Sequence, residues 1–378
     1  MYSHSWIVLL FGVALVITPP AAHAADEDSE TTKENPGFSL SEQQWQTIDE
    51  SVDRALKFLI TQQDQDGSFP TFQTGQPGVT SLCVLAYLSR GHVPGEGPYG
   101  DAITRAINSV LSKQRDDGLL FDIPIGQFYS DGSPAKTGIY NHAIAGLMLA
   151  EIYGMGTSKH DERIRVAVDK GIDFTLKHQS RYRRNPEEQG GWRYLRLRPD
   201  HRSDADLSIT SWQLLFLRSA KNAEFDVPQL PIDNAMAYVE RCYDPQAGTF
   251  VYCIVSGRHT TPAMAGAGII SLSMGGRHNS EPAIRAGEWM ARQRFDQYRG
   301  VERYHYSAYY CSQAAYQLGG DYWSRFYPPL MKTLVDNQRP DGSWTVGNED
   351  ARYGNAYSTA LGVLALTPPY QILPIYQR

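Results

Sequence analysis

The sequence predicts an all-α fold, a single ring of six outer and six inner helices, and two observations carry that prediction. One is a short repeat. In NQRPDGSWTVG, Gln338, Gly342 and Trp344 fall at i, i+4 and i+6, and the pattern returns along the chain. The other is an alternation, between the copies, of apolar segments that are striped with segments that are apolar nearly all round.

The fullest repeat unit is an aromatic, an aliphatic, three residues, a glutamine, three residues, a glycine, one residue and an aromatic. Phe58-Leu59, Gln63, Gly67 and Phe69 match it throughout; Leu334, Gln338, Gly342 and Trp344 lack only the leading aromatic. Val110, Gln114 and Gly118 keep the middle and end in Leu120. Phe174 and Gln179 are followed, after an insertion, by Gly190 and Trp192; Tyr238-Val239 by Gly248 and Phe250; and Trp289-Met290 sits near Gln293, making six copies. Each copy reads as an amphipathic helix ending in a braced turn, as SVDRALKFLITQQ shows with Val52, Ala55, Leu56 and Leu59 on one face. The glycine admits positive φ. The glutamine amide is expected to bond backbone left unpaired at the helix end, with the aromatic stacked on it.

Between the copies lie VTSLCVLAYLSRG, YNHAIAGLMLAEIYG, LSITSWQLLFLRSA, TPAMAGAGIISLSMGG, YHYSAYYCSQAAYQLGG and AYSTALGVLAL, rich in Ala, Gly and Ser. Helices of this kind are enclosed on every side and closely packed. A ring with the enclosed helices inside and the amphipathic ones outside buries both kinds and leaves a mouth where the inner helices begin.

The 378 residues are 42% hydrophobic and carry a net charge of −6. An acidic chain gives no basic surface for nucleic acid, and that class is set aside. An apolar run over residues 7–17, Pro19-Pro20 and Ala22-His23-Ala24 read as a signal peptide over 1–24, implying an exported protein, periplasmic or secreted; residues 25–38 read as a disordered acidic linker, and 39–378 as the ring. No later segment is long enough for a membrane span, although a resting place on a membrane surface is compatible with export. Of the four cysteines, Cys83 and Cys311 lie in apolar stretches and read as buried thiols, while Cys242 and Cys253 flank a turn and are candidates to face each other across a hairpin. None has paired CxxC spacing, so a structural zinc site is unsupported, and the expectation is of no metal and no cofactor.

The repeat resembles the QW motif of squalene cyclases and the related repeat of protein prenyltransferase β subunits, whose shared fold is an α/α toroid of six helix pairs. That resemblance implies a central cavity at the N-terminal ends of the inner helices. There the chain reads Ser203-Asp204-Ala205-Asp206-Leu207. Squalene cyclases and other class II terpene cyclases carry DxDD in the comparable place, where a protonated carboxyl starts the reaction. The resemblance thus implies Asp206 as proton donor with Asp204 as its electrostatic partner, although Leu207 replaces the last aspartate. The alternative for Asp206 is a helix N-cap. The zinc signature of prenyltransferases is broken at Tyr357-Ser358-Thr359, where serine stands at the ligand position.

His142, in Tyr140-Asn141-His142, is a candidate acid, base or pocket-shaping residue, with a hydrogen-bonded packing role as the alternative. Trp212, His305, Tyr306, Tyr309, Tyr310 and Tyr357 are candidate ligand-binding aromatics, which stabilise a carbocation or simply fill core. The arginine-rich stretch Arg181, Arg183, Arg184, Arg193, Arg196, Arg198 and Arg202 reads as a solvated loop balanced by Glu187, Glu188 and Asp200. The functional expectation is an isoprenoid or other apolar ligand in the cavity, with terpenoid cyclase-like chemistry if the protein is an enzyme. The alternatives are a noncatalytic toroid binding a cell-envelope partner and a carbohydrate-active enzyme.

Overall fold

The computed structural model describes residues 40–126, 133–197 and 202–377. The expected signal peptide and acidic linker lie outside them. Twelve α-helices make up the described fold: α1 (Glu42–Gln62), α2 (Gly78–Ser89), α3 (Gly100–Leu111), α4 (Pro134–Ile152), α5 (Ser158–Gln179) and α6 (Leu207–Asn222). They continue as α7 (Gln229–Arg241), α8 (Pro262–Met274), α9 (Glu281–Ala291), α10 (Tyr304–Leu318), α11 (Gly320–Asp336) and α12 (Gly354–Leu366). The even-numbered helices form the inner ring: α2 packs on α4, α4 on α6, α6 on α8, α8 on α10, α10 on α12, and α12 returns to α2. The odd-numbered helices pack outside them, α1 against α12 and each of the others against the inner helix before it. This is the expected all-α toroid.

Side-chain size explains the inner ring. In α8 every residue from Pro262 to Leu272 is buried, and a Cβ on Gly266 would lie 2.7 Å from the Tyr310 carbonyl carbon of α10. Only a residue without a side chain lets the two backbones approach so closely.

Four of the repeat turns tie one outer helix to the next, and here the expectation for the glutamine is corrected. Its amide does not cap its own helix. Gln63 Nε2 donates to the Gly67 carbonyl at 3.0 Å and to Ala102 of α3 at 2.8 Å; Gln114 donates to Gly118 at 3.1 Å and Ala167 of α5 at 2.8 Å. Gln179 reaches Gly190 and Pro231, and Gln338 reaches Gly342 at 2.9 Å and Ser51 of α1 at 2.8 Å. The last of these bridges latches the end of the ring to its beginning. Gly342 holds φ of +90°, and a Cβ there would sit 2.2 Å from the Arg54 carbonyl, so the outer helices meet at this turn only because it is glycine. The repeat aromatic does not stack on the glutamine either. Trp344 is fully buried over Gly362 of α12, its indole N–H donating to the Leu334 carbonyl at 2.8 Å. Burying a side chain of that size stabilises the fold by roughly 1.5–3 kcal/mol. In the two most degenerate copies the bridge is lost. Gln293 bonds back to Trp289 in its own helix, and the Gly248 turn becomes a hairpin of β1 (Tyr243–Asp244) and β2 (Thr249–Phe250).

All four cysteines are free and buried. Val251 N–H donates to the Cys242 carbonyl at 2.9 Å, so Val251, not Cys253, faces Cys242 across the hairpin. Among the described residues no helix is long and apolar enough to cross a membrane.

Candidate site in the central cavity

The N-terminal ends of the inner helices surround a cavity of about 340 Å³. Its floor is Trp212 of α6. Its wall carries six tyrosines, Tyr140, Tyr194, Tyr252, Tyr306, Tyr353 and Tyr357, with the aliphatic Val79, Leu82, Ile144 and Met264 between them. Lys136, His259, Glu302 and Arg303 complete the wall's charged and titratable members. The hydroxyls are linked. Tyr140 donates to Ser208 Oγ at 3.1 Å, Ser208 and Tyr306 share a bond of 2.9 Å, and the Trp212 indole N–H donates to Tyr306 at 3.0 Å. On another part of the wall Tyr194 and Tyr252 hydroxyls lie 2.9 Å apart.

Of the sequence-predicted aromatics, Trp212, Tyr306 and Tyr357 line the cavity, and Tyr357 stacks on Tyr353 with centroids 4.7 Å apart. Tyr309 and Tyr310 do not. Both pack against Trp212, Tyr309 stacked with centroids 5.5 Å apart and Tyr310 edge-on at the same distance. Tyr309 in turn bonds Tyr376 of the C-terminal segment. His305 is also outside the lining, its Nε2 3.2 Å from the Tyr298 hydroxyl, and burial pushes its pKa down to about 3.

Asp206 is fully buried and does not reach the cavity surface. It caps α6, accepting from the Ile209 N–H at 2.8 Å, and it is paired with Arg193 Nη1 at 3.0 Å. The Tyr252 hydroxyl donates at 3.3 Å to Oδ2, the oxygen that also meets Arg193, so a phenol stands between this carboxyl and the cavity. Burial raises the Asp206 pKa, with the Arg193 charge pulling the other way. Asp204 accepts from the Arg184 backbone N–H at 2.8 Å and the Arg184 guanidinium at 2.5 Å. Burial alone raises its pKa, but those bonds outweigh burial and hold the carboxyl below its usual range. The two aspartates are therefore each engaged with a different arginine.

The reading of the arginine stretch as a solvated loop holds for Arg181, Arg184, Arg196 and Arg202, which are exposed, and is corrected at two positions, while Arg198 and Asp200 lie outside the described residues. Arg183 and Arg193 are buried, and the Arg193 guanidinium lies over the rings of Tyr194 at 4.6 Å and Tyr252 at 5.4 Å. Its position follows from the repeat. The N–H of the repeat aromatic donates to a side chain in the first turns of the following inner helix: Phe69 to Thr80 at 3.0 Å, Trp192 to Thr210 at 3.0 Å, Trp344 to Thr359 at 3.2 Å. Trp192 also accepts the Asp206 N–H at 3.0 Å, and the residue after it is Arg193.

His142 belongs to the same series. In the second copy Leu120 stands for the aromatic, and its N–H donates to His142 Nδ1 at 3.1 Å. The other ring nitrogen meets Thr175 Oγ1 at 2.9 Å, and Thr175 donates to Gln213 at 3.0 Å, which makes Nε2 the protonated nitrogen. Buried between Phe174 and Phe216, the ring has its pKa pushed down to about 3. The structure thus gives His142 the packing role and does not bring it to the cavity. Ser358, at the zinc-ligand position of the prenyltransferase signature, donates to the Trp344 carbonyl at 2.6 Å, and no group of three or more His, Cys, Asp or Glu able to hold a metal occurs among the described residues.

No family model matches the chain, and no curated protein does. Solved structures do. A variant of the type II terpene cyclase MstE from Scytonema, in complex with its substrate geranylgeranyl dihydroxybenzoate, is 15% identical, with a TM-score of 0.54 over 89% of this chain and all (100%) of that one. A glycosidase variant in complex with glucose is 11% identical, with a TM-score of 0.56 over 89% of this chain and 100% of that one. A protein from Actinoplanes is 16% identical, with a TM-score of 0.52 over 84% of this chain and 98% of that one. At such identities the likeness is one of fold, a terpenoid cyclase-like toroid shared with glycosidases.

Proposed function

We propose that the protein is exported and holds an isoprenoid or similarly apolar ligand in the central cavity. The observation that carries this reading is the lining itself: six tyrosines, a tryptophan floor and four aliphatic side chains, with Glu302 the one carboxylate on the described wall. The volume of about 340 Å³ lies at the small end of ligand pockets, which run from roughly 300 to 1,000 Å³. The substrate named for the terpene cyclase of the same fold is a prenylated compound, which supports this class of ligand. A glycosidase would need two carboxylates flanking the bond to be cleaved, about 5–10 Å apart, and the described wall does not offer that pair. If the ligand is transformed, Asp206 acts in the protonated form that burial favours and Arg193 opposes, passing its proton to the Tyr252 oxygen as that hydroxyl gives its own to the ligand, and Asp204 anchors the loop ahead of it.

The test is purification from an isoprenoid-producing host, solvent extraction and mass spectrometry of what is released, beside Trp212→Ala and Asp206→Asn. The expected result is a retained isoprenoid, lost from Trp212→Ala and chemically different in Asp206→Asn if turnover occurs. An empty wild-type cavity moves the assignment to a noncatalytic toroid binding an envelope partner. A bound sugar moves it to carbohydrate chemistry.

A further inference from the structure

The charges around the cavity cancel one another. Arg303 lines the wall, but it is ion-paired with Asp350, whose side chain is 5% exposed, and its backbone N–H donates to Glu349 at 2.8 Å. Arg193, behind the tyrosines, is paired with the fully buried Asp206. Each of these guanidinium groups reaches the site with a buried carboxylate already attached. The wall also presents a carboxylate of its own, Glu302, with His259 Nε2 at 3.2 Å, and the remaining wall cation, Lys136, lies 5.9 Å from the centre of the Tyr194 ring. Three cationic side chains (Lys136, Arg193, Arg303) thus stand against four carboxylates (Glu302, Asp206, Asp350, Glu349) among these residues, so no net positive charge faces the cavity. What the cavity does offer a polar group is neutral: the linked hydroxyls of Tyr140, Ser208 and Tyr306, and the pair Tyr194 and Tyr252.

We infer that the polar end of the ligand is uncharged, a hydroxyl or carbonyl group met by these hydroxyls, and that the site discriminates against prenyl diphosphates. A diphosphate brings several negative charges, and the charges of these arginines are already balanced by buried carboxylates, so meeting it through them crowds like charges together away from water. It must also approach Glu302, a like charge. A neutral alcohol of the same chain length buries the same apolar surface and incurs neither cost. The inference rests on the isoprenoid reading proposed above and narrows its ligand class.

Titration calorimetry of the full-length protein with farnesol and with farnesyl diphosphate tests it, because the two ligands differ only at the head. Farnesol is expected to bind at least about tenfold more tightly, the equivalent of one like-charge contact in a partly buried site. Asp350→Asn, which releases Arg303, and Glu302→Gln, which removes an exposed carboxylate at little risk to folding, are each expected to shift the ratio toward the diphosphate. A diphosphate that binds as tightly as the alcohol overturns the inference and leaves the isoprenoid reading intact. A ratio unmoved in both variants overturns the charge argument. Failure of both ligands to bind overturns the isoprenoid reading, and the inference falls with it.

Discussion

At the N-terminal ends of the inner helices the ring opens into a tyrosine-lined cavity, whereas at their C-terminal ends the last residues of the chain lie across the bore. Tyr376 lies there beneath Tyr309, which stacks under Trp212, so an aromatic column runs down from the cavity floor. The two ends also treat buried carboxyls differently. At the mouth Asp206 and Asp350 each face an arginine. At the closed end Glu151 of α4 has the Ser219 hydroxyl at 2.5 Å and the Ile375 N–H at 3.4 Å, and burial pushes its pKa up to about 7. The contrast shows what a partner does for a buried acid. Burial raises the pKa of all three; at the mouth a guanidinium pulls the other way, and at the closed end only neutral hydrogen bonds oppose the rise.

The largest effect expected from breaking this comparison is at the mouth. Asp206→Ala leaves Arg193 buried without a carboxylate and α6 without its cap, and is expected to cost about 3–5 kcal/mol in urea denaturation. Asp206→Asn keeps an N-cap acceptor and is expected to cost less; equal losses in the two variants would assign the whole effect to the ion pair. Next comes the closed end. Tyr376→Ala removes an aromatic from the bore together with its bond to Tyr309, and a loss of about 3 kcal/mol is expected. A loss below about 1 kcal/mol would mean that the C-terminal segment covers the bore without supporting it.

A third effect, comparable at most to the second, is one of pH. Glu151 has an ordinary pKa of 4.5 when unfolded and about 7 when folded, so the native state holds the proton more strongly. Its contribution to stability is fully present below pH 4.5 and is lost as pH rises through about 7. The two values bound the loss at roughly 3 kcal/mol, from 1.36 kcal/mol per unit. Glu151→Gln is expected to flatten the stability profile between about pH 5 and 8, as read by thermal melts across that range. An unchanged profile would show that Glu151 does not titrate with folding.

The fold was legible because the repeat is local. Glutamine, glycine and aromatic lie within seven residues, and each pattern of hydrophobic spacing reports which side of a helix is covered. Part of the site was legible for the same reason. Tyr306 and Tyr357 sit in the first turn of α10 and α12, and Trp212 less than two turns into α6. Tyr310 lies four residues below Tyr306, about 6 Å deeper at 1.5 Å per residue, and periodicity alone does not say where the cavity stops. Tyr194 and Tyr252 escaped notice because they come from the connections ahead of α6 and α8, which have no helical period. The role of His142 was in principle readable, by aligning it with Thr80, Thr210 and Thr359 in the other copies.

By itself the sequence determined the helix pairs and their alternation between inner and outer ring, since these depend on spacing and side-chain size along one stretch of chain. Tertiary structure decided which charges meet. Arg193 finds Asp206 through the pairing of Trp192 with the start of α6, and Arg303 finds Asp350 across the gap between α10 and α12. Ion pairing depends on distance and burial, and neither is written in any local pattern of residues.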